Sequence, residues 1–287
     1  MKGNCAVLLA GLAAFAIPDA ALAVFPVPVS PVVTYGLVRD EFGSPYGASS
    51  RMALTLVPEE NPDGKAYAET TVTDIGSSGH NYVLQLEIDS AGPVRPYAVL
   101  AGTRMRIRAK LGGEETSLAP APVFVTPAAG TAQRLDFTTG EDLDNDGLPD
   151  AWERLMMAYN EKSGQPGQPT TIGEFLPNGD CDGDGMSNAR EYLAGTDPFL
   201  STDLLAIVRF EPTSVPFRAA VRFTTAEGRK YRLLRCDDLA NPVWLPVATS
   251  RKADGDLAVE SYVGTGREMT VYLEIVGKSE FYRIGTN

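Results

Sequence analysis

The sequence predicts a mainly β protein in which two β-sandwich domains are joined by a short acidic module of loops and helices. Three observations support this fold class. Runs of β-branched and aromatic residues recur toward both ends of the chain, 28 Gly and 21 Pro interrupt any long helix, and acidic residues gather in one central segment. With 44% hydrophobic and 22% charged residues among 287, the composition is that of a folded protein rather than a disordered chain.

Residues 1–23 are predicted to be a cleaved secretory signal peptide. Lys2 precedes an apolar run over residues 5–17, and Ala-Leu-Ala at 21–23 matches a small-x-small cleavage pattern. The run is too short to cross a bilayer, which takes about 20 apolar residues, and no later segment is longer or more apolar. We therefore expect a secreted or cell-envelope protein without a membrane span.

Two segments are predicted to form β-sandwiches, because short strand-like runs alternate with Gly, Pro, Asn and Asp clusters in both. In the N-terminal domain, residues 24–139, candidate strands cover 32–38, 52–57, 82–88 and 105–111. In the C-terminal domain, residues 204–287, they cover 204–210, 220–225, 230–236, 259–263, 269–276 and 281–284. Residues 82–88 alternate apolar and polar side chains in part, as in a strand with one buried face.

The segment between them, residues 140–203, contains 14 acidic residues and three basic ones, while the whole chain has a net charge of −12. Almost all of the negative charge therefore lies in one module, which indicates a local chemical role. The chain has no basic excess to neutralise phosphates, so nucleic acid is not an expected partner. A single histidine, His80, excludes most histidine-based catalytic and metal sites.

Two stretches of this module repeat one twelve-residue pattern. Residues 142–153 read Asp-Leu-Asp-Asn-Asp-Gly-Leu-Pro-Asp-Ala-Trp-Glu, and residues 180–191 read Asp-Cys-Asp-Gly-Asp-Gly-Met-Ser-Asn-Ala-Arg-Glu. Both have acids at positions one, three and five, Gly at six and Glu at twelve, which is the signature of a calcium-binding loop.

Each position of the pattern has a chemical reason. Calcium takes six to eight oxygen ligands, which such a loop supplies from alternate side chains, from the carbonyl at position seven and from a bidentate Glu, while Gly permits the sharp turn. The predicted calcium ligands, with Leu148 and Met186 acting through their carbonyls, are Asp142, Asp144, Asp146, Leu148, Asp150 and Glu153 in the first loop and Asp180, Asp182, Asp184, Met186, Asn188 and Glu191 in the second. Asp197 is a further candidate downstream.

Two alternatives need no metal. The residues at positions nine and twelve also fit a helix capping box. These pairs are Asp150 with Glu153 and Asn188 with Glu191. That alternative leaves the six remaining aspartates unexplained, although they would repel one another. A solvated surface charge run would not place Gly correctly twice.

A helix is predicted after each loop, because apolar residues recur at helical spacing at 152, 155, 156 and 159 and again at 189, 192 and 193. Gly195 is expected to end the second helix. A sugar-stacking role is an alternative for Trp152, but its place on the apolar stripe favours core packing. Residues 163–169 are predicted to be a flexible or extended connector, and residues 172–176 a short helical turn.

The loops resemble the thrombospondin type 3 and dockerin-like, EF-hand-type calcium repeats of exported bacterial proteins. The resemblance covers residues 142–153 and residues 180–198, which end in Tyr-Leu-Ala-Gly-Thr-Asp-Pro, and extends to Phe-Tyr-Arg at 281–283. It implies calcium as the ion of a small α-helical calcium-binding loop–helix module. Cys181 departs from the usual residue at position two. Separately, residues 36–45 resemble the start of carboxypeptidase-regulatory-like, transthyretin-type sandwich modules.

Three classes of function follow. The leading one is a secreted structural or adhesion protein in which two calcium ions rigidify the link between the β-domains. The second is a dockerin-like module that docks to a cohesin-type partner, or an accessory carbohydrate-binding protein, with an extracellular protein or polysaccharide as partner. The third is an enzyme, for which Asp40 with Glu87 would be candidate acids. No spacing singles these acids out, so an enzyme is not expected.

The cysteines allow one disulfide. Cys181 and Cys236 are the only cysteines that remain after the predicted signal peptide is removed, and an exported chain meets oxidising conditions. A bridge between them would clamp the acidic module onto the C-terminal domain. The alternative is that Cys236 is a buried small hydrophobe and Cys181 a free surface residue.

Overall fold

The computed structural model describes residues 30–74, 79–89, 95–275 and 280–286. They form a mainly β fold with two short α-helices, so the predicted fold class is confirmed. The predicted signal peptide lies outside the described residues. Among the helices that are described, none has the length and apolar character needed to cross a membrane.

The N-terminal domain is built from short strands within residues 30–139, with a 3₁₀ turn at Ala48–Ser50. The strands are β1 (Val32–Gly36), β2 (Val38–Arg39), β3 (Met52–Pro58), β4 (Ala68–Thr71), β5 (Tyr82–Asp89), β6 (Ala98–Leu100), β7 (Arg104–Leu111), β8 (Glu114–Thr116), β9 (Leu118–Ala119), β10 (Val123–Val125), β11 (Ala132–Arg134) and β12 (Phe137–Thr139).

Two sheets of this domain enclose one hydrophobic core. One sheet has the order β11-β1-β5-β6, and the other has the order β10-β7-β3-β4 with β8 beside β7. Leu84 and Leu86 of β5 share the core with Leu54 of β3 and Ile107 of β7, all at most 1% exposed. The alternation seen in the sequence of β5 therefore does mark one buried face.

A third, small sheet leads the chain into the acidic module. In it, β12 pairs with β2 in parallel and with β9 in antiparallel orientation. Directly after β12, Gly140 has a φ of +107°, a conformation that a side chain would strain. The first acidic loop thus starts at the end of the N-terminal domain.

The middle module consists of two loop–helix units around a small aromatic core. Helix α1 is Asp150–Tyr159, a 3₁₀ turn follows at Ile172–Glu174, and helix α2 is Asn188–Ala194. The Trp152 ring packs edge-on against Phe175 and Tyr192, with ring centroids 5.4 and 5.2 Å apart. Leu148 and Phe199 complete the core. The prediction that Trp152 is a core residue is therefore confirmed.

The exposed end of α1 differs from the predicted apolar stripe. Tyr159 has helical spacing from Trp152 but is 82% exposed. The reason is that the core of the module lies at the start of α1, where the loop residues and the 3₁₀ turn cover it. The last turn of α1 extends beyond this core.

The C-terminal domain again places two sheets around one core. Its strands are β13 (Ile207–Pro212), β14 (Arg218–Phe223), β15 (Lys230–Cys236), β16 (Leu245–Pro246), β17 (Thr249–Ser250), β18 (Tyr262–Val263), β19 (Met269–Glu274) and β20 (Phe281–Thr286). One sheet has the order β13-β14-β19-β17, and the other has the order β16-β15-β18 with β20 beside β15. Val221 and Leu273 from the first sheet pack with Tyr231 and Leu233 from the second.

All three parts of the chain meet at Arg229, a residue of the C-terminal domain that is 7% exposed. Its guanidinium donates to the Phe42 carbonyl and, at 3.1 Å, to the Ser44 hydroxyl, both in the N-terminal domain. It also donates to the Tyr192 carbonyl of α2 at 2.9 Å. The two β-domains are therefore in direct contact.

Two tyrosine hydroxyl groups complete this junction. The Tyr192 hydroxyl donates to the Asp40 carbonyl of the N-terminal domain at 3.1 Å. The Tyr231 hydroxyl of β15 donates to the Ala194 carbonyl at the end of α2 at 2.7 Å. Gly195, with a φ of +79°, ends α2 as predicted and packs so tightly that a Cβ would lie 2.7 Å from the Arg229 side chain. Helix α2 is thus held by both β-domains.

The predicted disulfide between Cys181 and Cys236 is wrong, because both cysteines are free. Cys181 packs against the aromatic core of the module. Cys236 is buried at the end of β15, and its thiol donates to the Asp238 carbonyl at 3.0 Å. Each cysteine belongs to the packing of its own domain, which the number and compartment of the cysteines did not reveal.

Candidate metal centres

The first acidic loop gathers three carboxylates at one point. One oxygen from each of Asp142, Asp144 and Asp146 lies within 4.8 Å of the others. The Asp142 carboxylate accepts hydrogen bonds from the backbone of Asp146 and Gly147, both at 3.1 Å. These bonds curl the chain around the carboxylate, so the loop presents its acids inward.

The second loop repeats this geometry. Oxygens of Asp180, Asp182 and Asp184 lie within 4.8 Å of one another. The Asp180 carboxylate accepts from the backbone of Gly183 at 2.7 Å and of Gly185 at 3.0 Å. Two sequences that share only their pattern thus build the same local structure.

The backbone shows one requirement that the sequence analysis missed. Position four is left-handed in both loops, with a φ of +58° at Asn145 and +78° at Gly183. Asn and Gly are the residues that adopt this conformation most readily. Position six, Gly147 and Gly185, has a φ of +97° and +96°, as the turn at that position requires.

Both loops are closed by the same backbone hydrogen bond. The N–H at position nine donates to the carbonyl just before position one, from Asp150 to Glu141 at 2.9 Å and from Asn188 to Gly179 at 2.8 Å. The following helix therefore starts at a fixed place relative to the loop. This brings the glutamate at position twelve back over the aspartates.

Glu153 and Glu191, at position twelve, are fully buried. Neither Glu153 carboxylate oxygen has a hydrogen-bond partner, and Glu191 Oε2 has none either. Among the described residues, ten buried side-chain polar atoms lack a partner, and seven of them belong to Asp146, Glu153, Asp182, Asp184, Asn188 and Glu191. Buried acceptors are normally satisfied, so this concentration marks two places that a cation would complete.

The helix-capping alternative is wrong for both helices. The residues that precede them are Pro149 and Ser187, and neither provides a side-chain cap. The glutamates at position twelve make no capping hydrogen bond to the backbone. Burial of these carboxylates therefore needs another explanation than helix termination.

Position nine differs between the loops. The Asp150 carboxylate accepts from the Leu143 backbone at 2.9 Å and from Arg154 at 2.7 Å. In the second loop, the Asn188 amide donates to the Leu176 carbonyl at 2.8 Å, while its Oδ1 is buried without a partner. Asn188 therefore offers an oxygen without a partner among the described residues, whereas one Asp150 oxygen accepts from the first loop and the other from Arg154 of α1.

The other predicted ligands lie as follows. Leu148 and Met186 occupy position seven, and the Leu148 side chain is in the module core, which leaves the role of ligand to backbone carbonyls. The Asp197 carboxylate accepts from the Asn160 amide at 2.9 Å and from the Phe199 backbone at 3.0 Å. Asp197 thus ties the end of α1 to the turn that follows α2.

The acids proposed for catalysis have structural contacts. The Asp40 carboxylate accepts from the backbone of Phe42 and Ser44 and so shapes the turn after β2. Glu87 lies 3.6 Å from Arg95. His80 packs edge-on against the Tyr35 ring.

Burial and mutual repulsion raise the pKa of both position-twelve glutamates. Burial is the larger cause of a Glu153 pKa of about 8, followed by the charges of Asp146 and Asp144. The Glu191 pKa is also about 8, from burial and then from Asp182 and Asp184. Burial likewise raises the pKa of Asp142, Asp146 and Asp182. A divalent cation would remove the repulsion that these carboxylates share.

The stability of the metal-free module is expected to fall as pH rises from about 4.3, the ordinary Glu value, toward about 8. In that interval Glu153 and Glu191 are protonated in the folded state and ionised in the unfolded state. The folded state then binds more protons, so raising the pH favours unfolding. Thermal unfolding in excess chelator across this range measures the slope.

Saturating calcium is expected to remove this slope, because the calcium-bound glutamates are deprotonated, as they already are in the unfolded state over this range. The same thermal unfolding series in calcium is therefore the matched control. A chelated protein whose stability increased toward pH 8 would contradict the assignment of these raised pKa values.

Comparison with protein families identifies the two loop–helix units. The family model of the bacterial TSP3 repeat matches residues 142–155 and residues 180–201. The predicted resemblance to thrombospondin type 3 calcium repeats is therefore confirmed for this module. No curated protein and no solved structure matches the chain.

Proposed function

We propose that the two bacterial TSP3 repeats of this chain each bind one calcium ion, and that the two ions hold the β-domains of a secreted, non-enzymatic protein in a fixed arrangement. The observation that carries the proposal is the burial of Glu153 and Glu191 beside three clustered aspartates with carboxylate oxygens unpaired. Such charges are tolerated in a protein interior when they are paired or bind a metal.

The donor set favours calcium over other ions. The loops offer carboxylate, amide and carbonyl oxygens, which are the ligands of calcium and magnesium, and calcium accepts the larger and less regular coordination that a curled loop supplies. Neither triad includes a histidine or a thiolate. Extracellular calcium modules typically bind with a Kd of about 10⁻⁴–10⁻³ M, and we expect that range here.

The second ion would act on the interdomain junction directly. Glu191 at position twelve is one residue before Tyr192, whose hydroxyl contacts the N-terminal domain and whose carbonyl contacts Arg229. An ion that holds Glu191 against its loop also fixes the position of α2. The first ion would act through Trp152, which packs on the Tyr192 ring.

Calcium titration of the chain by calorimetry, followed by limited proteolysis with and without chelator, tests the proposal. We expect two bound calcium ions, and faster cleavage within residues 140–203 when calcium is removed. Both β-domains should remain resistant, because each has its own hydrophobic core, while the module core has too few residues to outweigh the repulsion and the chain entropy.

Magnesium at the same concentration is the control for nonspecific charge screening, and it should protect less. Equal cleavage rates in calcium and in chelator would reject the role of the ions in the junction. A titration without saturable calcium binding would reject the sites themselves.

A docking role for the module is a second candidate, because α1 ends in exposed apolar surface. Tyr159 is 82% exposed, and Leu143 in the first loop is 62% exposed. An extracellular partner that binds this face would make the protein an assembly component. Substitution Tyr159→Ser should then abolish partner binding and leave calcium binding intact, whereas the structural role predicts no change in either.

A further inference from the structure

A cleft of about 530 Å³ lies where α2 meets both β-domains. Four arginines line it: Arg134 of β11, Arg190 of α2, Arg232 of β15 and Arg283 of β20. Each part of the chain therefore contributes at least one arginine. The Arg232 guanidinium also lies close to Gly79 of the N-terminal domain. A Cβ added to Gly79 would be only 2.7 Å from Arg232 Nη1.

This group of arginines is unusual in a chain with a net charge of −12. None of the described residues that line the cleft is acidic. Within the described part of the chain, Arg134 pairs with Asp136 at 3.0 Å, whereas no ion pair involves Arg190, Arg232 or Arg283. The Arg283 guanidinium lies over the Trp244 ring, 4.3 Å from its centroid, but of the four arginines only Arg134 has a carboxylate partner among the described residues.

Among the four arginines, Arg232 gives the clearest indication that the cleft lacks a binding partner. Its Nε is buried and has no hydrogen-bond partner among the described residues. Burial and the nearby charge of Arg134 lower its pKa. A guanidinium that is half-buried, unpaired and next to another cation costs stability unless something else at this position compensates it.

Apolar side chains also line the cleft, beside the arginines and Thr286. Leu193 and Ala194 of α2, Leu205 of the following linker, and Leu234 and Ile284 of the C-terminal domain line it. The volume falls in the range of small-molecule sites, which combine an apolar surface with a few polar groups that orient the ligand. Guanidinium groups match planar carboxylates by two parallel hydrogen bonds.

We propose that this cleft binds a small organic anion whose carboxylate pairs with the arginines and whose apolar body contacts the leucine and isoleucine side chains. The inference goes beyond the proposed calcium function and requires neither calcium site for its chemistry. An inorganic oxyanion would use the charge but not the apolar walls. A neutral apolar compound would leave the guanidinium groups unpaired.

Calorimetric titration of the full chain in saturating calcium tests this with four probes: naphthoate, the neutral naphthamide, acetate and inorganic sulfate. We expect naphthoate to bind with a Kd below about 1 mM. Naphthamide lacks the charge, and acetate and sulfate lack the apolar body, so each should bind at least about tenfold more weakly.

Two variants locate the site. Arg232→Gln removes the half-buried guanidinium, and Arg190→Gln removes an exposed one on α2 whose loss does not endanger folding. Each should weaken naphthoate binding by about tenfold or more, the equivalent of one charge-assisted hydrogen bond. Arg209→Gln, which changes an arginine outside the cleft that pairs with Glu211, is the matched control and should bind naphthoate like the unaltered chain.

Several outcomes would overturn the inference. The first is that naphthoate does not bind. The second is that naphthamide or sulfate binds as tightly as naphthoate. The third is that naphthoate affinity is unchanged in both Arg190→Gln and Arg232→Gln. A calcium titration of the same samples separates this result from the calcium proposal, because both variants should still bind two calcium ions.

Discussion

Replacing the position-twelve glutamate is expected to lower calcium affinity and, at the same time, to stabilise the metal-free protein. In Glu153→Gln or Glu191→Gln, the calcium affinity of the altered loop should fall by more than about 100-fold. Loss of an outer-shell partner alone costs about 10–100-fold, and here a direct bidentate ligand would be removed.

The expected gain in stability of the metal-free variant follows from the geometry of the site. Both Glu153 oxygens are buried without a partner among the described residues, and the carboxyl group is subject to the negative charges of four aspartates, Asp146, Asp144, Asp150 and Asp142. A neutral Gln has nearly the same shape, and unlike Glu153 it needs no proton uptake to be buried beside these aspartates at pH 7. The chelated variant should therefore unfold at a higher temperature than the chelated original chain.

Calorimetry measures the affinity, and thermal unfolding in chelator at pH 7 measures the stability. Glu161→Gln, which changes an exposed acid in the turn after α1, removes the same formal charge and should change neither property appreciably. If Glu153→Gln were destabilised in chelator as well as in calcium, its role would be general packing and not metal binding.

Replacing Arg229 is expected to loosen the contact between the β-domains while leaving each of them folded. The guanidinium donates to Phe42, Ser44 and Tyr192 from a position that is 7% exposed. Hydrogen bonds from a charged donor contribute about 1.5–3 kcal/mol each. We therefore expect Arg229→Met, which keeps most of the volume, to destabilise the junction by about 3 kcal/mol, or roughly 100-fold in its open population.

Hydrogen exchange of residues 188–203 reports this opening, and small-angle scattering reports separation of the domains. Both should change even in saturating calcium, because an ion that fixes α2 cannot replace the Arg229 hydrogen bonds to Phe42 and Ser44 of the N-terminal domain. Arg209→Met, on an exposed strand position paired with Glu211, is the matched control. Unchanged exchange in Arg229→Met would show that apolar packing alone holds the junction.

The acidic loops were predictable because their requirements are local. Each aspartate and glycine has its place within twelve residues, so the pattern identifies the curled backbone and the buried glutamate together. The strand runs were predictable for the same reason, and Lys230–Cys236 has the predicted bounds. The beginning of β13 was predicted three residues too early, since its apolar residues continue those of the preceding linker.

The junction was not predictable, because it depends on residues far apart in the sequence. Arg229, Tyr192 and Asp40 show no spacing that would connect them. The roles of Asp150 and Asp197 were hidden for a related reason. The sequence does not tell which donors a carboxylate accepts from. Asp150 accepts from the Leu143 backbone and the Arg154 guanidinium, and Asp197 accepts from the Asn160 amide and the Phe199 backbone.

The Arg229 contacts also determine how the protein would respond to a pulling force. Because Arg229 joins the two β-domains directly, a load applied across them acts first on these hydrogen bonds, in parallel with the covalent path through residues 140–203. The loops would come under tension only after the contacts rupture, and the module would then lengthen by about 3.3–3.6 Å per residue as it unravels. We therefore expect little extension at small forces. Once the Arg229 contacts have broken, we expect a large extension as residues 140–203 unravel.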